Sequence, residues 1–170
     1  MKLLYEGKAK QVYETENSDE YVIHYKDDAT AGNGVKHDQF EGKGVLNNTI
    51  SCIIFDMLEE AGIKTHMIEK INERDIRVKK VDIFPLEVII RNITTGSFCK
   101  RLGAKEGIVL AEPIFEICYK NDEYGDPLIN DDHAVALGLA TREELAYIRQ
   151  STLKINELLK EFFLKLNLKL

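Results

Sequence analysis

Within the first sixty residues the apolar positions change from a spacing of two to a spacing of three and four, and no single element satisfies both periods. LLYE, KQVYET and EYVIHYKD alternate, with Val22 and His24 on one side of the third run and Ile23 and Tyr25 on the other. They predict strands in tight succession, with Asn17-Ser18-Asp19 as a turn between the second and third. From Gln39 to Ala61 the pattern is helical: Leu46, Ile50, Ile53, Ile54, Met57, Leu58 and Ala61 share one face, and Gly62 follows as a stop. That stripe is expected to face a core.

Two further strand-like runs, 64–71 and 76–81, lead to Pro85, which marks the join between an N-terminal lobe (1–83) and a second lobe (84–170). LEVIIRNI then reads as a strand buried on both faces. A short helix is expected near Ser97 to Leu102, a strand near Ile114 to Tyr119, then the polar loop NDEYGDPLINDD and a long helix. Thr141 and Glu144 form a capping box for that helix. Its stripe of Leu145, Ile148, Thr152, Ile155, Leu159, Phe162 and Leu166 suits packing on a core better than a coiled coil, because the repeat is short and has Thr152 in its seam.

At 170 residues and 44% hydrophobic, the chain can hold a sizeable core. No apolar run is long enough to cross a bilayer, and MKLLYEGKAK places charges where a signal peptide has its apolar stretch, so a cytoplasmic protein with no membrane partner is expected. Cys52, Cys99 and Cys118 are odd in number and lack CxxC spacing, which predicts reduced, packed thiols. The net charge is -6, yet Lys64 to Lys105 holds ten Lys/Arg against five Asp/Glu. An acidic chain with one basic island repels a nucleic-acid backbone and focuses small phosphates or carboxylates. Taken singly, Lys79 and Lys80 suit a solvated strand end better than a binding role.

Four segments can carry chemistry. Gly7-Lys8-Ala9-Lys10 sits between two strands, as a basic hairpin or as a loop over a polyphosphate. Asp27-Asp28-Ala29-Thr30-Ala31-Gly32-Asn33-Gly34 combines carboxylates and glycines, which suits turn capping first and a cation second. In Arg91-Asn92-Ile93-Thr94-Thr95-Gly96-Ser97 a strand delivers an arginine and turns through Gly96 into a helix start. That fits a phosphomonoester, or simply an ion pair and an N-cap. The acidic loop of Asp122, Glu123, Asp126, Asp131 and Asp132 suits solvated charge, a magnesium ion or an amine. His24, His37, His66 and His133 have no metal or triad spacing and read as surface or strand histidines.

Together LYEGKAKQVYET, YKDDATAGNG, EGKGVLNN, AGIKTH, VKKVDIFPLEVIIRNITTGSFCKRLG, EGIVLAEPIFEICYKND, GDPLIND and ALGLATREEL resemble the SAICAR synthetase family, in its order and spacing. The resemblance implies an α+β fold class and a two-lobed fold, an antiparallel nucleotide-binding sheet lobe plus a second α/β lobe, with an ATP-grasp or kinase-like cleft. It implies an ATP-dependent ligase of purine biosynthesis that joins carboxyaminoimidazole ribonucleotide (CAIR) to L-aspartate, with ATP and Mg2+ as cofactors and a homo-oligomeric assembly. Gly7, Lys8, Ala9 and Lys10 match the loop over the ATP phosphates, with Lys10 as a catalytic residue. Lys79, Val81, Asp82 and Ile83 match the connection that meets adenine, and Glu87 a ribose-side contact. Arg91 and Ser97 match positions that hold the ribonucleotide phosphate. Lys120, as a substrate contact, and Asp126, as a catalytic residue, match the active-site loop. Asn33 stands where some members carry Asp. Members continue past the long helix with acidic metal contacts, so the metal ligands are expected outside these 170 residues. A noncatalytic nucleotide- or ribonucleotide-binding fragment is the alternative. A protein kinase is disfavoured, because HRD and DFG segments are absent from the sequence.

Overall fold

The alternating runs at the start form Leu3–Glu6 (β1), Lys10–Glu14 (β2) and Glu20–Tyr25 (β3) in a computed structural model that describes residues 2–31 and 36–170. Next come Asp28–Ala31 (β4) and Lys36–Gln39 (β5), which pair antiparallel, a pairing not read from the sequence. Lys43–Glu60 (α1), Met67–Lys70 (β6) and Asp75–Lys79 (β7) complete the first unit, Met1–Asp82. Its main sheet is antiparallel throughout, in the order β1-β2-β3-β7-β6. Val12 lies opposite Ile23, and Ile23 opposite Ile76, so one row of branched side chains crosses three strands. Ile76 is fully buried, with Ile23, Cys52, Met67 and Val78 around it. Burying a side chain of that size contributes about 1.5–3 kcal/mol.

Only part of the apolar stripe read for α1 packs: Leu58 is buried and Ile54, Met57 and Ala61 are half-buried. Leu46, Ile50 and Ile53 are 63%, 51% and 47% exposed, whereas Gly44, Asn48, Cys52 and Leu58 are buried. Backbone contact sets the rotation. A Cβ on Gly44 would fall 2.4 Å from the Tyr25 carbonyl oxygen and 2.7 Å from Arg74 Nη1, so only glycine lets the helix start approach β3 this closely. Asn48, with no exposed surface, donates to the Asn72 carbonyl at 3.0 Å.

Asp27 fixes the same corner. Its carboxylate accepts from Gly44 N at 2.8 Å and from both Arg74 Nη atoms at 2.8 and 2.9 Å. It therefore caps α1, the turn role read from the sequence. The Arg74 guanidinium, and then the Gly44 amide, hold the Asp27 carboxyl far below the ordinary carboxylate range. A carboxylate whose folded pKa is depressed stabilises the fold above its unfolded pKa, near 3.9, and that stability is lost as pH falls toward the folded value. Asp27→Asn is expected to lower the urea midpoint at neutral pH and to flatten its fall below about pH 4. An unchanged acid limb in a urea titration would contradict the role given to Asp27.

The second unit, Ile83–Leu170, comprises Leu86–Ile93 (β8), Gly96–Leu102 (α2), Val109–Tyr119 (β9), Leu128–Ile129 (β10), Asp131–Ala136 (α3) and Arg142–Lys165 (α4). Its antiparallel sheet runs β10-β9-β8. LEVIIRNI, expected to be buried on both faces, is an edge strand among the described residues and is mostly half-buried. β9 starts at Val109 rather than near Ile114, and Pro113 sits inside the strand. The register slips there: Arg91 faces Ile114 while Ile93 faces Val109. Such an irregularity accommodates a residue that has no N–H to donate.

Ile117, Ala134, Ala140 and Leu145 form the core of this unit. Thr141 Oγ1 accepts from Glu144 N at 3.2 Å and Glu144 Oε2 from Thr141 N at 2.7 Å, which is the expected capping box. Along α4, Leu166 is exposed, and Asn156, outside the stripe read from the sequence, is buried. Asn156 and Asn92 exchange amide hydrogen bonds of 2.7 and 3.1 Å, which satisfies both side chains. All three cysteines are free. Among the described residues no helix is long and apolar enough to cross a membrane.

Candidate active site

In the first unit the Gly7–Lys10 loop joins β1 to β2. Gly7 N donates to the Lys10 carbonyl at 2.8 Å and Lys26 N to the Ala9 carbonyl at 2.9 Å, which pins the loop at both ends. Lys26 pairs with Glu6 at 2.6 Å and with Asp28. The carboxylates beside the loop are thus occupied by Lys26. Lys8 and Lys10 are exposed and make no ion pair with the described residues, so both charges remain for an anion.

Lys79 closes β7, with its N–H donating to the His66 carbonyl at 2.7 Å and its Nζ to the Thr65 carbonyl at 3.4 Å. The His66 ring packs edge-on against Phe55, with centroids 5.1 Å apart. Burial first, and the ammonium groups of Lys10 and Lys79 after it, push the His66 pKa below its ordinary value, so the imidazole is neutral at pH 7. Lys10, Lys79 and His66 therefore share one electrostatic neighbourhood. His66, read from the sequence as a surface or strand histidine, owes these surroundings to the β6–β7 pairing. Val81, Asp82 and Ile83 follow β7 in an exposed segment without regular structure, with Val81 51% and Ile83 85% exposed. Asn33 lies outside the described residues.

The second unit gathers two groups. In the first, Arg91 Nε donates to Glu116 Oε2 at 2.7 Å and its Nη2 to Ser97 Oγ at 2.9 Å, while Arg101 Nη2 donates to Glu116 Oε1. The side chains of Arg91 and Glu116 are 13% and 9% exposed. Ser97 lies inside α2, not at its cap: the cap position is Thr95, and Gly96 turns the chain with φ +57°. Arg91 and Ser97 were singled out in the sequence, whereas Glu116 and Arg101, which the structure brings to them, were not. The legible signal for Glu116 was a single charge within the apolar run IFEICY, on the strand expected beside LEVIIRNI.

In the second group Lys120 Nζ meets Asp126 Oδ2 at 2.6 Å, and Asn121 N donates to Asp126 Oδ1 at 2.8 Å. Asp126 has φ +50°, a left-handed backbone that is uncommon outside glycine and recurs at functional sites. The hydrogen bond to Asp126, supported by the charges of Asp126 and Glu87, raises the Lys120 pKa, so its ammonium persists well above neutral pH. Glu87, on β8, lies opposite Cys118, and burial followed by the charges of Glu87 and Glu116 pushes that thiol up. Glu87, Lys120 and Asp126 are thus neighbours. At the far end of the acidic loop Asp131 pairs with Arg149 at 3.5 Å and Asp132 with Arg142 at 2.6 Å. Among the described residues no three or more His, Cys, Asp or Glu side chains gather in one place.

These elements match known proteins over the whole chain. Residues 3–170 match the family model described as SAICAR synthetase. Phosphoribosylaminoimidazole-succinocarboxamide synthase of Finegoldia magna is 66% identical over 170 residues, which are 100% of this chain and 73% of that protein. A crystal structure of the synthase of the same name from Ehrlichia chaffeensis superposes with a TM-score of 0.96 at 42% identity, covering 99% of this chain and 71% of that one. A SAICAR synthetase in complex with ADP gives a TM-score of 0.92 at 46% identity, covering 96% and 69%. The chain belongs to the SAICAR synthetase family, and its mixed α/β architecture with antiparallel sheets is that family's fold.

Proposed function

We propose that the protein is an ATP-dependent ligase that joins the carboxylate of CAIR to the amine of L-aspartate, giving SAICAR, ADP and phosphate. Family membership over the whole chain carries the reading, and the site chemistry agrees with it. A carboxylate is a poor electrophile, and its oxygen leaves poorly. Transfer of the terminal phosphoryl group of ATP to that oxygen forms an O–P bond and releases ADP. The aspartate nitrogen then attacks the carbonyl carbon, the C–N bond forms, and the C–O bond breaks as phosphate departs with the oxygen. Charge develops on the transferring group, and ammonium groups held in place stabilise it.

Lys8 and Lys10, unpaired among the described residues, stand in the loop assigned to the ATP phosphates, with Lys79 and neutral His66 near Lys10. Val81, Asp82 and Ile83 offer exposed backbone and apolar surface for adenine. Glu87 suits a ribose hydroxyl. Arg91 and Ser97 offer a guanidinium and a hydroxyl to the ribonucleotide phosphate. Lys120 and Asp126 present an ammonium beside a carboxylate, matched to the carboxylate and amine of an amino acid. Magnesium would be held largely by the ATP phosphates, with carboxylates beyond the described residues, and would neutralise charge on the transferring group. Omitting CAIR or L-aspartate in turn while ADP release is followed tests the reading.

A further inference from the structure

We infer that Glu116 is a positioning residue for the ribonucleotide phosphate, and that it holds Arg91 and Arg101 side by side as a paired anion clamp. The inference rests on the proposed assignment of Arg91 and Ser97 to that phosphate. One carboxylate spans the two guanidinium groups, Oε2 taking Arg91 Nε at 2.7 Å and Oε1 taking Arg101 Nη2. Two cations this close repel each other unless a shared anion lies between them. Glu116 supplies that anion from β9, and its side chain, only 9% exposed, cannot be replaced there by solvent.

The bonds also set orientation. Arg91 spends Nε on Glu116 and one Nη2 proton on Ser97, which fixes its planar fork and leaves the Nη1 protons for an incoming oxygen. Arg101 uses Nη2 on Glu116 and keeps its remaining donors. The three side chains sum to one positive charge, which a dianionic phosphomonoester overcompensates. Its gain therefore comes from hydrogen bonds made in fixed directions as well as from net charge.

Geometry and charge predict opposite signs for one substitution. Glu116→Gln keeps the shape and removes a negative charge, so an electrostatic role alone predicts tighter phosphate binding. A positioning role predicts weaker binding, because the second guanidinium loses its strong acceptor and swings away. The expected result is a rise of at least tenfold in KM for CAIR, with KM for ATP within twofold. Discrimination between CAIR and its dephosphorylated ribonucleoside shrinks by a similar factor, and Glu116→Asp is intermediate.

A KM for CAIR that is unchanged or lower in Glu116→Gln, while Arg91→Ala weakens CAIR binding, overturns the inference and leaves the phosphate assignment standing. If Arg91→Ala leaves CAIR binding unchanged, the assignment fails and the inference fails with it. Should Glu116→Gln not fold, Arg101→Lys reads the same clamp from its exposed side. A three- to tenfold rise in KM for CAIR supports the clamp, and no change overturns it.

Discussion

Lys10→Ala lowers ATP-dependent turnover by about a hundredfold or more, the range seen when one donor to a developing anion is removed. Lys10 is exposed at the head of β2 and makes no ion pair with the described residues, so its charge has no structural duty. The thermal midpoint is therefore expected to stay within about 2 °C, since surface substitutions away from special features shift stability by about 0.5 kcal/mol or less. Lys8→Ala serves as the comparison, with a smaller loss expected from its place two residues before Lys10 in the loop. Steady-state ADP release at saturating CAIR and L-aspartate reads the effect. Turnover that survives Lys10→Ala within threefold would remove Lys10 from the phosphate loop.

Arg91→Ala is the second large effect. It is expected to weaken CAIR binding about a hundredfold, within the range of about 2–5 kcal/mol for truncating one partner of a buried, hydrogen-bonded charge pair. Arg91 is nearly buried and carries both the Glu116 and Ser97 contacts, so its loss also releases those two groups. Arg91→Lys keeps the charge and loses the fork, and it is expected to recover only part of the affinity. Calorimetric titration with CAIR separates this from a folding defect, because ATP affinity, measured in the same samples, should change little. Equal CAIR affinity in wild type and Arg91→Ala would contradict the assignment.

The strands of the first unit were legible because alternation and turn residues agree: the predicted runs fall on β1, β2 and β3. The α4 capping box was legible for the same local reason. The packed face of α1 was legible only in part. Hydrophobic period favours Leu46, Ile50 and Ile53, but the contact between Gly44 and the Tyr25 backbone, with the buried Asn48 amide, turns those side chains outward. Neither is visible before the chain is folded. β9 was read short: its first five residues include Pro113, and only the slipped register beside Arg91 shows how a proline is tolerated there.

At the candidate site, single residues were legible and their partners were not. Arg91 and Ser97 are six positions apart and follow from a strand-to-helix reading, whereas Glu116 reaches Arg91 through the β8–β9 pairing, 25 positions away. Lys120 and Asp126 were both singled out, but their 2.6 Å contact depends on the left-handed turn at Asp126. His66 was discounted for lack of spacing, yet its surroundings are set by β6–β7 pairing and by Phe55 from α1. Sequence spacing reports local chemistry, and sheet pairing supplies the rest.

The most direct test follows ADP release by the purified protein with ATP and magnesium present, and with CAIR and L-aspartate added singly and together. Release only when both are present, with SAICAR formed one for one with ADP, is the predicted result. Equal ATP hydrolysis with neither substrate would contradict the ligase reading, and binding of nucleotide and CAIR without any turnover would leave a binding protein in its place.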